Sequence, residues 1–250
     1  FYVSAALCAR TIARDRLGPS AADSARLAAA LLDVVRGVAQ GAGHLRERGP
    51  AARALAAMTA HRFFYGLSFM VTLLLYTSDG AIGRGFSGLG QVVVLAAAGG
   101  LLAALVTPSI TRRLGTQWWI VMVFVLAAGV ELLAMAFTHA AFLLAALFLG
   151  FAAQAAKICV DTLLGELVDD DFRGRVFSFY DTAFNLSFVS AALASAVLLP
   201  PNGKSYLVIG LIAGGYAGTA LLYGVATWLR APGEPLEPIL SEGREGATRE

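Results

Sequence analysis

Long apolar runs separated by short polar stretches make up most of this sequence. Each run is long enough to cross a hydrocarbon core of about 30 Å as a helix, which takes roughly 20 residues. The six runs occupy residues 59–79, 88–108, 117–138, 140–165, 175–199 and 206–229. The pattern predicts an all-α membrane protein whose domain at 59–229 holds six transmembrane helices joined by short loops.

A polar region precedes the six runs. Residues 10–58 hold breakers such as Gly18-Pro19, followed by Ser20 as a helix N-cap and apolar residues at helical spacing up to Val38. This spacing predicts an amphipathic helix at the membrane surface or against the helix bundle. A second helix is predicted to start after Pro50 and to run into the first span. We interpret residues 10–58 as a cytoplasmic linker with amphipathic helices.

The two ends differ from the rest of the chain. Residues 1–9 are apolar but too few to cross a bilayer, and their charges follow the apolar stretch instead of preceding it as in a signal peptide. We interpret them as the end of a preceding transmembrane helix, so the chain is expected to be a fragment of a longer polypeptide. Residues 230–250 are rich in Glu, Gly and Pro and predict a disordered tail.

Composition supports the membrane assignment and narrows the chemistry. Hydrophobic residues make up 58% of the chain and charged residues 14%, with a mean hydropathy of +0.70. Cys8 and Cys159 lie far apart in apolar segments, and His44, His61 and His139 fall in loops or at a boundary without ligand partners. Because no catalytic or metal-ligating cluster is visible, the sequence predicts no enzyme, no cofactor, no metal site and no nucleic-acid partner.

Basic residues lie mostly on one side of the predicted membrane. Nine arginines fall in residues 10–62, two follow the second span, two follow the fourth and three lie in the tail, whereas the other side holds only Arg84 and Lys204. Sixteen against two is a strong positive-inside bias. It predicts that the linker, the carboxyl terminus and the loop "DDDFRGR" are cytoplasmic.

Three charged residues are predicted to meet in the inner half of the spans. Lys157 and Asp161 are four residues apart and can pair on one helix face. Asp181 enters the membrane from the same side and is expected within reach of them. We interpret Lys157, Asp161 and Asp181 as an inner-side ion-pair cluster. It either locks the helices together or breaks and reforms as the inner side opens.

Glu131 is predicted to lie deeper, without an obvious basic partner in this chain. An unpaired buried carboxyl group can cycle between its protonated and ionised forms, which suits proton coupling. Glu131 is therefore the first candidate for coupling and Asp161 the second. The alternative is a basic partner for Glu131 outside this chain.

Two further polar residues, Gln154 and Asn185, lie in the fourth and fifth spans. They are candidates for substrate contact. The alternative is that they form hydrogen bonds between helices, as polar groups in membrane helices often do.

Several stretches resemble the major facilitator superfamily, in particular the carboxyl-terminal half of bacterial drug or siderophore exporters of the enterobactin-exporter type. The similar stretches are "RFFYG" at 62–66 and "QAAKICVDTLL…VDDDFRGRVFSFYDTAFN" within 154–185. The family signature G-x-x-x-D-R-x-G-R recurs weakly as "PSITRRLGT", where Arg113 and Gly115 fit but Arg112 stands in place of the acid.

The resemblance implies one six-helix half of a transporter that alternates access by rocking against a missing amino-terminal half. It implies proton-coupled efflux of small amphipathic molecules across a bacterial inner membrane, with the lipid bilayer, the substrate and protons as partners. The charged residues after the second and fourth spans would act as a cytoplasmic loop lock: Asp169, Asp170, Asp171, Arg173, Arg175 and Arg113. The alternative is a six-span permease subunit of an ATP-driven transporter, which a nucleotide-binding partner would reveal.

Overall fold

The computed structural model describes residues 49–77 and 84–229, together with residues 43 and 82. Within these residues the chain forms six long helices and no strand. They are α1 (Gly49–Thr77), α2 (Gly85–Leu114), α3 (Thr116–Leu133, continued by a 3-10 turn over Ala134–Ala136), α4 (His139–Leu167), α5 (Asp170–Leu198) and α6 (Tyr206–Trp228). All six are long and apolar enough to cross a membrane, so the predicted fold class is confirmed.

Three predictions fall on residues that the structure does not describe. They concern the preceding helix at 1–9, the amphipathic helix between Ser20 and Val38, and the tail at 230–250. The second linker helix is described: α1 begins at Gly49 and runs without interruption into the first span, as predicted.

Some helices extend beyond the apolar stretch that predicted them, so their ends differ from the ends expected from hydropathy. α2 continues through Pro108 to Leu114, and only Gly115 separates it from α3. A proline removes a single backbone donor, and membrane helices tolerate this loss. Gly115 turns the chain with a φ of 84°, a conformation that favours glycine, and its N–H donates to the carbonyl of Thr111. The loop expected between these spans is therefore a single residue.

The six helices pack in two rows. α1 and α4 contact each other, with α5 beside α1 and α2 beside α4, which gives a front row in the order α2–α4–α1–α5. Behind it, α3 and α6 form a back row, in which α3 packs against α4 and α6 packs against α1. α2 and α5, at the two ends of the front row, are the least buried helices.

The tightest crossing in the domain joins α2 and α4. A methyl group added at Gly99 would overlap the carbonyl oxygen of Leu147, and one added at Gly150 would overlap that of Ala96. Small residues let membrane helices approach closely, so Gly99 and Gly150 permit this crossing.

Both rows expose large apolar side chains, Leu101, Leu105, Leu193 and Val197 of the front row among them, but the partly exposed Lys157–Asp161 pair and Asp181 lie on the front row. The outward side chains of α3 and α6 are apolar: Met122, Val125, Leu132, Leu207, Leu211, Leu222 and Trp228 are all exposed. On the front row, the stretch where α4 ends and α5 begins is polar, and this end is called the inner half below. The opposite end, where α1 ends and α2 begins, is called the outer half. The back row therefore presents the surface suited to lipid.

Candidate functional site

Glu131 is buried inside the domain, near the end of α3. Its side chain is 1% exposed. The Ser68 hydroxyl of α1 donates a hydrogen bond to Glu131 Oε2 at 3.1 Å. No basic side chain forms an ion pair with it among the described residues. An ionised carboxyl group without a basic partner is costly in such surroundings.

A cavity of about 180 Å³ lies next to this hydrogen bond, in the outer half. Ser68 lines it on one side and donates to Glu131 on the other. α1, α2 and α4 supply most of its wall, which is largely apolar: Phe69, Val92, Val93, Phe142, Ala146 and Leu149 are among the lining residues. A single serine thus connects the cavity in the front row with the buried acid behind it.

His61 lies on the same face of α1, two turns before Ser68, and it is 1% exposed. Its ring stacks on Phe124 with a centroid distance of 5.4 Å and tilts against Tyr216 at 5.3 Å. Neither ring nitrogen has a hydrogen-bond partner in the described part of the chain. The sequence interpretation left His61 in a loop or at a boundary, whereas the structure places it in the middle of α1 and inside the bundle. The signal was a helical stripe of positions that includes 54, 58, 61, 68, 72 and 75, all buried.

Lys157 and Asp161 of α4 form an ion pair. Lys157 Nζ donates to Asp161 Oδ2 at 2.6 Å, and the two side chains remain 41% and 36% exposed. Lys157 Nζ also lies 5.4 Å from the ring centroid of Tyr180 on α5. Lys157 and Tyr180 are each about 15 Å from the α4–α5 connection, at a rise of about 1.5 Å per residue. The pair therefore faces α5 at a matching depth.

Asp181 does not join this ion pair in the structure. Its side chain is exposed and forms no ion pair within the described ranges. Successive helix residues project about 100° apart, and Tyr180, which is buried, occupies the direction towards α4. The cluster expected from the sequence is thus a pair, with Tyr180 in the third place.

Arg62 of α1 is a second residue whose surroundings the sequence did not reveal. Its guanidinium carbon lies 4.2 Å from the ring centroid of Phe184 and 4.5 Å from that of Phe188, both on α5. Tyr65 lies 5.7 Å away on the other side. The sequence interpretation counted Arg62 with the basic linker, because charges at the edge of an apolar run are indistinguishable from loop charges.

The α4–α5 connection is shorter than its charges suggested, since α5 begins at Asp170. Arg173 pairs with Asp170 at 2.7 Å and also donates to the Gly165 carbonyl of α4 at 3.0 Å. Arg175 lies over the ring of Phe172 at 5.4 Å. Arg113 is exposed at the end of α2 and has no ion-pair partner among the residues described. Arg173 thus ties the end of α4 to the start of α5.

Gln154 and Asn185 are placed differently. Gln154 lies one turn before Lys157 on α4 and packs beside Gly100 of α2, with its Cβ 3.7 Å from the position of an added methyl group. Asn185 is exposed, and its amide donates to the Asp181 carbonyl within α5 at 2.8 Å. The two residues belong to different helices of the front row, and no hydrogen bond joins their side chains among the described residues.

The described residues contain no group of three or more His, Cys, Asp and Glu side chains that could hold a metal ion. Cys159 is a free, buried thiol on α4.

Comparison with known proteins assigns the family. The sequence matches the Major Facilitator Superfamily over residues 53–249. It is 31% identical over 192 residues to uncharacterized MFS-type transporters of Mycobacterium bovis and Mycobacterium tuberculosis, covering 76% of this chain and 43% of each relative. The chain thus spans less than half the length of these curated relatives. No solved structure is significantly similar to it. With six membrane-spanning helices, the chain is a multi-pass membrane protein that belongs to the major facilitator superfamily, a family of transporters rather than enzymes.

Proposed function

We propose that this chain is the carboxyl-terminal half of a proton-coupled secondary exporter of small amphipathic molecules, such as drugs or siderophores. It would work by alternating access, with a second six-helix half facing its front row. Membership of a superfamily of secondary transporters favours this function over an ATP-driven permease subunit. We place the protein in a bacterial inner membrane with a cytoplasmic carboxyl terminus, on the strength of the positive-inside bias.

The observation that carries the proposal is the buried Glu131–Ser68 hydrogen bond beside a cavity. Glu131 is shielded from bulk water and has no described basic partner, so gain or loss of a proton would change its charge in a low-dielectric setting. Ser68 could transmit that change to the cavity wall, because protonation weakens Glu131 as an acceptor and adds an O–H donor, which lets the serine hydroxyl accept instead of donate. Coupling then amounts to a different preferred cavity shape for each protonation state.

The Lys157–Asp161 pair would serve as the inner-side gate. The pair is partly exposed on the front row, where the second half of the transporter would face it. An ion pair of this kind can break and reform as the inner side opens, because water compensates the separated charges. Asp161 is the second candidate for proton exchange, and Asp181 would meet the pair only after α5 rotates or the second half contributes a cation. Gln154, one turn away, and Asn185 remain candidates for substrate contact.

The charged α4–α5 connection would act as the cytoplasmic loop lock. Arg173 already pairs with Asp170 and holds Gly165, which leaves Asp171, Arg175 and Arg113 as exposed charges able to pair with the second half. Asp169 adjoins them at the start of α5. These contacts would form when the inner side closes and separate when it opens.

Glu131→Gln in the complete transporter tests the proposed coupling. The substitution keeps the shape and the Ser68 contact but removes the exchangeable proton, so pH-gradient-driven efflux from membrane vesicles should fall at least tenfold. Glu166→Gln is the matched control, because Glu166 is an exposed glutamate on α4 and its loss should leave efflux within twofold.

Substrate exchange in the absence of a gradient separates coupling from folding. Glu131→Gln should retain this exchange, since alternating access itself does not require the proton to leave. Unaltered gradient-driven efflux by Glu131→Gln would remove Glu131 from the mechanism, whatever the state of the gate.

A further inference from the structure

We infer that Arg62 and the Tyr180 hydroxyl form a binding site for the carboxylate group of an amphipathic organic anion, where side chains of α1, α4 and α5 meet. This inference rests on the proposed transport function and narrows its substrate class. The site is separate from the buried Glu131, which lies between α1 and α3.

Arg62 carries a charge that the described chain leaves without a counter-ion. Its guanidinium lies against the rings of Phe184, Phe188 and Tyr65. No carboxylate of the described residues lies within ion-pair distance of it. Aromatic faces attract the cation, but they accept none of the hydrogen bonds that its five N–H groups can donate. Arg62 Nε is buried and has no hydrogen-bond partner in the described ranges.

Tyr180 supplies a second buried donor next to Arg62. Its Oη is also buried without a hydrogen-bond partner among the described side chains. The Tyr180 ring packs against Phe184 with a centroid distance of 5.9 Å, and Arg62 lies over the same Phe184 ring. The Asp161 carboxylate of α4 also lies close to the Tyr180 hydroxyl, so a bound carboxylate would compete with Asp161 for this donor. Lys157 is already neutralised by Asp161 at 2.6 Å. The positive charge available to a ligand is therefore that of Arg62.

These groups fit one ligand chemistry. A planar guanidinium donates two parallel hydrogen bonds to a carboxylate, and a phenol can donate a third. The surrounding rings of Tyr65, Phe184 and Phe188 offer apolar contact to the body of the ligand. A small, fully hydrated inorganic anion would leave that apolar surface unused, so the site favours an organic carboxylate with an attached ring or alkyl chain.

Binding of a matched pair of probes tests the site without any transport step. The probes are 1-naphthaleneacetate and its neutral analogue 1-naphthaleneacetamide, titrated by calorimetry into the complete transporter in a neutral detergent. We expect the acid to bind at least tenfold more tightly than the amide at neutral pH. Arg62→Gln should abolish that preference. Arg62→Lys should retain part of it, because lysine keeps the charge but not the paired donors.

Two further variants separate the site from a general loss of structure. Tyr180→Phe removes only the hydroxyl and should weaken binding of the acid several-fold while leaving the amide unchanged. Arg53→Gln is the control, because Arg53 lies on the same helix beside Tyr223 of α6, away from the site. It should leave both affinities unchanged.

Several outcomes would overturn the site. The first is that the unmodified protein binds the acid and the amide with equal affinity. The second is that Arg62→Gln weakens the binding of both probes equally while Tyr180→Phe changes neither affinity. Displacement of the acid by phosphatidylglycerol vesicles, but not by phosphatidylcholine vesicles, would instead assign Arg62 to a lipid headgroup. Because binding needs no pH gradient, failure of Glu131→Gln to affect efflux would count against coupling and leave these results intact.

Discussion

At the scale of single residues, the charged groups of this domain are accommodated in three ways. Glu131 is buried with a neutral donor, Lys157 is paired with an acid one helical turn away, and Arg62 lies among aromatic rings. Each arrangement lowers the cost of an ionisable group in a membrane helix by a different route. Only Lys157 has its charge neutralised within the described chain. Glu131 and Arg62 are therefore the stronger candidates for binding a proton and a ligand, respectively.

The Lys157–Asp161 pair is expected to behave as one neutral unit. Lys157→Ala and Asp161→Ala should each lower the stability of the purified transporter by about 1–2 kcal/mol, because each leaves a charge without its partner. The double substitution should recover about 1 kcal/mol of the summed loss, measured as a coupling free energy from thermal unfolding.

Asp181→Ala is the matched control for this cycle. Asp181 is exposed and forms no described ion pair, so it should not rescue Lys157→Ala. If the stability losses of Lys157→Ala and Asp161→Ala simply add, the two residues do not pair in the transporter. If Asp181→Ala restores stability to Lys157→Ala, then Asp181 and not Asp161 is the partner of Lys157.

The sequence predicted which residues are charged inside the membrane but not which way they point. Spacing by four was enough to pair Lys157 with Asp161, because both lie on one helix. The contact of Lys157 with Tyr180 depends on the rotation of α5, which hydropathy does not determine. For the same reason His61 and Arg62, adjacent in sequence, could not be separated: the structure directs the first to α3 and α6 and the second to α5.

At the scale of helices, the α2–α4 crossing determines how closely the front row can pack. Gly99→Ala should destabilise the domain by about 1–3 kcal/mol, since the added methyl group meets the backbone of Leu147 and neither helix can move without separating the pair. Gly90→Ala on the same helix is the control. Its added methyl group meets nothing within 4 Å, and alanine is the better helix former, so the melting temperature should stay level or rise.

An unchanged melting temperature for Gly99→Ala would mean that α2 and α4 are farther apart than the structure has them. Transport can be followed in the same variants. Loss of transport at unchanged stability would assign the crossing a role in motion rather than in packing.

Hydropathy located every described helix but not its ends. All six predicted spans overlap α1 to α6. The ends differ where polar or breaking residues continue a helix beyond its apolar run, as at Pro108 and Asp170. Adding a residue to a helix that has already formed costs little free energy. The helix therefore continues past its apolar run until a residue such as Gly115 turns the chain.

At the scale of the whole molecule, the two rows of helices have surfaces of different character. The back row, α3 and α6, exposes apolar side chains suited to lipid. The front row carries the partly exposed Lys157–Asp161 pair, and its end helices α2 and α5 are the least buried of the six. Partly exposed charges and two poorly covered end helices with exposed apolar side chains are the features expected where a second half of the transporter packs.

The 250-residue chain by itself should therefore bind ligands but not transport them. Reconstituted alone in liposomes, it should show no gradient-driven flux above protein-free liposomes, because a single six-helix half has no opposite wall to close the pathway. The complete polypeptide in the same lipid should transport, and the two halves expressed as separate chains should recover part of that flux if they assemble through the front row. Glu131→Gln, introduced into the separate carboxyl-terminal chain, should abolish the recovered flux. Gradient-driven transport by the isolated chain, dependent on Glu131, would show that six helices suffice, with the front row closing against a second copy of itself.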